Sequence, residues 1–354
     1  MKKTMKKLTA VLLAAVLTVG FSLTAFAADS NLTPSTAGTF TFTKEYTSTD
    51  NATFPTETLE FTVTADTNNP DGGTALIKVG DDNTFDIAGT KTTDIVVNYP
   101  SYSKAGVYRY TIKEKEGSSQ GVTYDTTKEI KVAVLVTYND AHTALVVEDG
   151  NVGVEKTNPD AVKEDTITNV YEFGGDQDED PKTKGLTVKK TVTGNLGDQS
   201  KLFTIKVTLQ TEADKYVNSD IEVSGGSYAG NTQTITKGWT GTKEITIKLK
   251  HDETVQFNKI PVGVTYIVEE DPSHIAAGEV QTPEELNGDE GYLVTYGNKE
   301  GTITKNVTQE ASVTNDKNTE IHTGISLDSL PYLMMLAAVA IGAFVIFRLR
   351  RIEE

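Results

Sequence analysis

Polar and apolar residues alternate with a period of two along much of this chain. Thr39-Phe40-Thr41-Phe42-Thr43 is one such run, Val107-Tyr108-Arg109-Tyr110-Thr111-Ile112 a second, and Ile245-Thr246-Ile247-Lys248-Leu249 a third. This period sends successive side chains to opposite faces of an extended strand. Lys131 to Tyr138 is denser in apolar residues, as in a central strand. No stretch of the middle region has a strong helical period. Many short strands separated by turn signals predict an all-β chain of tandem immunoglobulin-like (Cna-type) β-sandwiches.

The pattern changes at both ends. Met1 to Lys7 carries four lysines, Leu8 to Phe26 is almost wholly apolar or small, and Ala25-Phe26-Ala27 fits a small-x-small cleavage site. Together these predict a secretory signal peptide over residues 1–28. At the other end Leu330 to Phe347 is uncharged and is followed by Arg348, Arg350 and Arg351. The apolar run is near the lower length limit for crossing a bilayer, and the arginines fit a cytoplasmic stop. The pattern therefore predicts a C-terminal transmembrane helix with the bulk of the protein outside the cell.

Between these ends lie roughly 290 residues, about right for two domains. Cysteine is absent. An exported chain without disulfides must hold its domains by their cores or by another cross-link. The net charge is −17, and removal of the lysine-rich leader makes the exported part more acidic still. Such a surface repels nucleic acid and anionic lipid, so neither is expected as a partner.

Gly174-Gly175-Asp176-Gln177-Asp178-Glu179-Asp180-Pro181 is poor strand material and good linker material. It divides the chain into a first domain over 29–174, an acidic linker over 175–184 and a second domain over 185–318. Residues 319–354 form a C-terminal signal: a motif at 320–324, the apolar run at 330–347 and a basic tail at 348–354. The two domains share an order of features. Each opens with a strand ending in lysine, at Lys44 and at Lys190. Each then has a Gly-Val-x-Tyr or Gly-Val-Tyr strand running into acid, at Glu114 and at Glu270. Each closes on Thr-Asn, at Asn169 and at Asn315.

Alternation puts Lys44 on one face with Phe40 and Phe42, and Lys190 on one face with Leu186, Val188 and Val192. Lys189 then points outward. Glu114 shares a face with Tyr108, Tyr110 and Ile112, and Glu270 with Tyr266 and Val268. Asn169 follows Ile167 on its face, and Asn315 follows Val313. Each sandwich is thus expected to bury a lysine, a carboxyl and an amide together. Burial lowers a lysine pKa and raises a glutamate pKa. A neutral amine is a nucleophile, and a protonated carboxyl can polarise the amide. Attack expels ammonia and leaves a Lys–Asn isopeptide bond, with proximity supplying the rate and no cofactor required. Taken singly, strand-end lysines serve as solvated edge gatekeepers and Asn as a turn residue. The same order occurring twice favours the reactive reading.

Elsewhere the chemistry is sparse. Asp176 to Asp180 could attract calcium but lacks the glycine and terminal glutamate of a calcium loop. A solvated linker is the simpler reading, so no metal site is assigned. Trp239 and the tyrosines could line a glycan site, but core packing is the default for aromatics in sandwiches. No Ser/His/Asp arrangement or phosphate loop stands out, so the chain is not expected to be an enzyme.

The chain resembles the two-domain backbone (major) pilins of Gram-positive bacteria, with FctA-type immunoglobulin-like domains. The resemblance is carried by Leu186-Thr187-Val188-Lys189-Lys190, by Ile260-Pro261-Val262-Gly263-Val264-Thr265-Tyr266-Ile267-Val268-Glu269-Glu270-Asp271, by Asn315 shortly before Thr323, and by Gly121-Val122-Thr123-Tyr124-Asp125-Thr126-Thr127. It implies one Glu-assisted isopeptide bond per domain: Lys44 to Asn169 with Glu114, and Lys190 to Asn315 with Glu270. Glu320-Ile321-His322-Thr323-Gly324 is similar to a cell-wall sorting motif. The resemblance implies cleavage by a sortase between Thr323 and Gly324 and transfer of the Thr323 carbonyl to a lysine of the next subunit. Lys163 is nearest to the family's place for that lysine, with Lys156 as the other choice. The family has proline where this chain has His322, so either the cognate sortase accepts Ile-His-Thr-Gly or cleavage is inefficient.

The implied partners are the sortase and other copies of the chain in a covalent polymer, with minor pilins and peptidoglycan. The implied location is the Gram-positive cell wall, with a membrane-anchored precursor. A wall-anchored adhesin or minor pilin is the alternative. Boiling-resistant oligomer ladders in wall extracts separate a shaft subunit from an adhesin.

Overall fold

Alternation in the sequence becomes alternation of burial. Along Gly106–Glu114 buried and half-buried residues follow one another without a break. Thr166–Tyr171 does the same, and Thr265–Glu270 alternates exposed with buried residues. The denser run Ile130–Tyr138 lies inside its sheet, between Val152–Val154 and Gly106–Glu114. It buries Val132, Ala133 and Val134 in succession, as a strand covered on both faces must.

The computed structural model describes residues 32–156, 163–271, 280–281, 291–318 and 330–350. In the first domain one sheet runs in the order Lys78–Val79, Thr92–Tyr99, Gly38–Ser48, Thr166–Tyr171 and Val122–Thr123. The second runs Val152–Val154, Ile130–Tyr138, Gly106–Glu114, Thr56–Ala65 and Thr84–Ala88. Phe42, Ile95 and Ile167 of the first sheet meet Phe61, Ile112 and Val132 of the second in one core. In the second domain Gln233–Ile235, Ile221–Gly225, Thr254–Asn258, Lys184–Thr193, Gln309–Asp316, Tyr292–Gly297 and Val280–Gln281 form one sheet. Thr242–Leu249, Phe203–Gln210, Thr265–Glu270 and Glu300–Thr302 form the other. Leu186, Val188 and Val313 pack there against Ile205, Val207 and Val268. The architecture is all-β in two domains and consistent with tandem immunoglobulin-like folds.

In each domain the opening and closing strands are parallel neighbours. Gly38–Ser48 pairs with Thr166–Tyr171, with Lys44 opposite Ile167 and Tyr46 opposite Asn169. Lys184–Thr193 pairs with Gln309–Asp316, with Lys190 opposite Val313 and Val192 opposite Asn315. The offset is the same in both. Partnered residues share a face, so lysine and asparagine become diagonal neighbours on adjacent strands. A parallel pair needs a long crossover, and here the rest of the domain supplies it.

Hydrogen bonds tie the domains end to end. The buried hydroxyls of Tyr171 and Ser219 lie 2.7 Å apart. The buried Gln120 side chain donates to the Val262 carbonyl at 2.8 Å and accepts from the Glu212 N–H at 3.0 Å. Gly174 N–H donates to the Ile260 carbonyl at 3.0 Å, and Gly175 N–H to the Val307 carbonyl at 3.1 Å. Gly121 sits at φ +78°, where a Cβ would come within 2.8 Å of the Glu172 carbonyl and 2.9 Å of Pro261 Cβ. Only glycine tolerates that backbone and that approach.

One expectation is corrected. Leu330–Arg350 does form a helix, but among the described residues no helix is long and apolar enough to cross a membrane. The expected C-terminal transmembrane helix is therefore withdrawn. The signal peptide and the 320–324 motif, with Thr323 and Gly324, lie outside the described residues.

Candidate functional site: two buried lysine–carboxyl–amide triads

Lys44, Glu114 and Asn169 meet in the core of the first domain, at 1%, 2% and 0% exposure. Lys44 and Asn169 come from the adjacent parallel strands. Glu114 ends a strand of the other sheet and reaches across the sandwich. Lys44 Nζ donates to Glu114 Oε2 at 2.6 Å, and Asn169 Nδ2 donates to Glu114 Oε1 at 2.6 Å. The carboxyl thus bridges the amine and the amide.

The second domain repeats the arrangement with Lys190, Glu270 and Asn315, at 0%, 7% and 0% exposure. Lys190 Nζ donates to Glu270 Oε2 at 2.7 Å, and Asn315 Nδ2 to Glu270 Oε1 at 2.9 Å. Lys190 Nζ also meets Asn315 Oδ1 and lies 4.3 Å from the centre of the Phe203 ring. Lysine and asparagine are 125 residues apart in this domain.

Burial sets the protonation. It pushes the Lys44 amine down from its ordinary range, against the opposing pull of Glu114. It pushes the Glu114 carboxyl up. It pushes Lys190 down to about 8, again against its glutamate partner. In a dry site, transfer of the proton from ammonium to carboxylate removes two charges that are poorly solvated there. In the first domain such a transfer leaves a free amine and a carboxylic acid, with the acid in contact with the Asn169 amide. This is the pairing that nucleophilic attack on the amide carbon requires.

The other expected residues stand apart. Lys189 is exposed, with Nζ 3.6 Å from Asp252. Lys163 and Lys156 are exposed and flank the approach to Thr166–Tyr171. Among the described residues no group of three or more His, Cys, Asp or Glu could hold a metal ion. Asp176 instead closes a turn, its Oδ1 accepting from the Asp178 N–H at 2.9 Å. Trp239 packs against the second core.

The first domain holds further parts that the sequence reading passed over. Half-buried Glu57 accepts hydrogen bonds from the hydroxyls of Tyr46, Tyr124 and Ser119. Ser119 in turn accepts from Asn218 of the second domain at 2.7 Å. Asn169 Nδ2 is 3.5 Å from the Tyr46 hydroxyl. Asn169 Oδ1 accepts from the main-chain N–H of Asp125 at 2.9 Å. A signal for Glu57 was present, since alternation puts it on one face with Leu59 and Phe61, just as it puts Lys44 with Phe42.

Residues 23–172 match the family model described as the Spy0128-like isopeptide containing domain, and residues 184–317 match a domain of unknown function (DUF7601). A pilin of Streptococcus pyogenes serotype M1 is 28% identical over 265 residues, covering 73% of this chain and 72% of its own. The T3.2 major pilin of Streptococcus pyogenes aligns at 24% identity over 80% of this chain and 99% of that one, with a TM-score of 0.48. A second major pilin structure from Streptococcus pyogenes aligns at 21% identity over 79% of this chain and 99% of that one, also with a TM-score of 0.48. With two buried triads, the isopeptide-domain match over residues 23–172 and the pilin relative, the chain is similar to the Gram-positive major (backbone) pilins, the structural shaft subunits of cell-wall-anchored pili.

Proposed function

We propose that each domain closes one intramolecular isopeptide bond, Lys44 to Asn169 assisted by Glu114 and Lys190 to Asn315 assisted by Glu270. The neutral amine attacks the asparagine Cγ and a C–N bond forms. The glutamate takes a proton from the attacking nitrogen and returns it to Nδ2. The Cγ–Nδ2 bond then breaks and ammonia leaves. The observation that carries this reading is the bridging carboxyl, which touches amine and amide together in both domains. The bond would tie the opening strand of each domain to its closing strand. Tension along a fibre would then pass through covalent bonds and bypass the sandwich.

Polymerisation is read as sortase cleavage between Thr323 and Gly324, with transfer of Thr323 to Lys163 or, failing that, Lys156 of the next subunit. Both lysines are exposed, as an acceptor for another enzyme must be. Minor pilins and peptidoglycan complete the proposed partners. Domain limits of 29–174 and 185–318, joined by 175–184, are part of the same reading. The test is the intact mass of the mature chain. It should fall short of the sequence mass by two ammonias, and tryptic mapping should recover Lys44 joined to Asn169 and Lys190 joined to Asn315. A mass equal to that of the sequence would overturn the proposal.

A further inference from the structure

Among the described residues the two triads differ at the amide oxygen. In the second domain the amide oxygen of Asn315 meets the Lys190 amine itself. Among the described residues no main-chain donor is recorded at that oxygen. In the first domain the amide oxygen of Asn169 accepts from the main-chain N–H of Asp125 at 2.9 Å, and Lys44 is bound to Glu114. When an amine attacks the amide carbon, negative charge develops on that oxygen. A fixed N–H in a water-free core stabilises the charge with no reorganisation.

The N–H is held in place from three sides. Val122–Thr123 is hydrogen-bonded to the strand that carries Asn169, with Thr123 opposite Val170. The Asp125 side chain closes its own turn, its Oδ1 accepting from Thr127 Oγ1 at 2.9 Å and from the Lys128 N–H at 3.1 Å. The neighbouring Tyr124 is buried, with its hydroxyl on Glu57 and accepting from the Ser119 N–H at 3.0 Å. Glu57 also holds Tyr46, which lies opposite Asn169 in the register. The loop and the amide are thus located by one clamp.

We propose that the main-chain N–H of Asp125 is the oxyanion donor for cross-linking in the first domain. This rests on the reading that Lys44 and Asn169 react. In the step, the Lys44 nitrogen bonds to Cγ and the carbonyl electron pair moves to Oδ1, where the Asp125 N–H receives it. Collapse then expels Nδ2 as ammonia with the proton relayed by Glu114. The donor is neither consumed nor deprotonated.

The test uses the mature chain sampled at intervals after a synthesis pulse, with intact mass and tryptic mapping reporting each bond separately. Asp125→Pro deletes the N–H. Lys44–Asn169 formation should slow by about a hundredfold or more, while Lys190–Asn315 forms at the wild-type rate and serves as the internal control. Asp125→Ala keeps the N–H, loses only the side-chain turn, and should slow cross-linking far less than Asp125→Pro. Replacing the Tyr124–Asp125 amide by an ester removes the N–H with little change of shape, and decides the matter if Asp125→Pro fails to fold. Wild-type rates in the proline and ester variants would overturn the inference and leave the cross-link reading standing. A wild-type chain that never forms the Lys44–Asn169 bond would overturn both.

Discussion

Glu270→Ala removes the carboxyl that holds Lys190 Nζ at 2.7 Å and Asn315 Nδ2 at 2.9 Å. Without it nothing relays the proton from the attacking amine to the leaving nitrogen, and the second-domain bond should not form. The bond would span 125 residues. In the chain-entropy model for covalent cross-links, a loop of that length is worth about 5 kcal/mol. A second term concerns Lys190, left in the core without its carboxylate. Burial is what lowers its pKa and Glu270 is what opposes that effect, so the variant's amine sheds its proton instead of persisting as a buried cation. The cross-link therefore dominates the loss. For a domain of this size about 5 kcal/mol corresponds to a fall in Tm on the order of 15 °C. The core around Leu186, Val188, Ile205 and Val207 is untouched, so the fold should persist. The assay pairs intact mass with calorimetry of the mature chain. One ammonia should be retained, and only the second-domain transition should move. Glu270→Gln, which preserves volume, should likewise fall short of its own sequence mass by one ammonia only. Loss of both ammonias from either variant would refute the assigned role of Glu270. Retention of one ammonia with an unchanged Tm would refute the loop-closure reasoning.

Asn315→Ala leaves Lys190 unreacted and exposes its linkage to pH. Its folded pKa of about 8 lies below the ordinary 10.5, so between these values the unfolded chain holds a proton that the folded chain has shed. Stability should then rise with pH across that window, by at most about 3 kcal/mol. Denaturant melts at each end of the window check this, and the rise should vanish in Asn315→Ala/Lys190→Met. Thr323→Ala and Lys163→Ala should each abolish boiling-resistant ladders in wall extracts. Ladders that persist in Lys163→Ala but vanish in Lys156→Ala would move the acceptor and leave the pilus reading intact. Gln120→Ala deletes two hydrogen bonds across the joint between domains. It should cost about 1–3 kcal/mol and speed proteolysis between Glu172 and Lys184, an effect that a wild-type cleavage rate would refute.

Much of the site was legible because a strand has period two. A lysine among Phe40, Phe42 and Tyr46, or among Leu186, Val188 and Val192, cannot face water without exposing its neighbours. The burial of Lys44 and Lys190, and the exposure of Lys189, follow from that parity. The same parity applies to Glu57 beside Leu59 and Phe61, but a partly covered carboxylate has no meaning until its three hydroxyl partners are known. Apolar composition likewise announces the helix at Leu330–Arg350. Among the described residues, however, no helix is both long and apolar enough to cross a membrane.

By itself the sequence determined which residues of each strand face inward, that two similar all-β units follow one another, and that each unit carries a lysine, a glutamate and an asparagine on apolar faces. These are local consequences of side-chain parity and order. Only the tertiary structure decided that the opening and closing strands are parallel neighbours offset to make Lys44 and Asn169, and Lys190 and Asn315, diagonal partners. It alone brought Glu114 and Glu270 across from the other sheet. It alone set the Asp125 N–H on the Asn169 oxygen, because a main-chain donor has no side chain to mark it and its direction is fixed by the turn and the sheet that hold it.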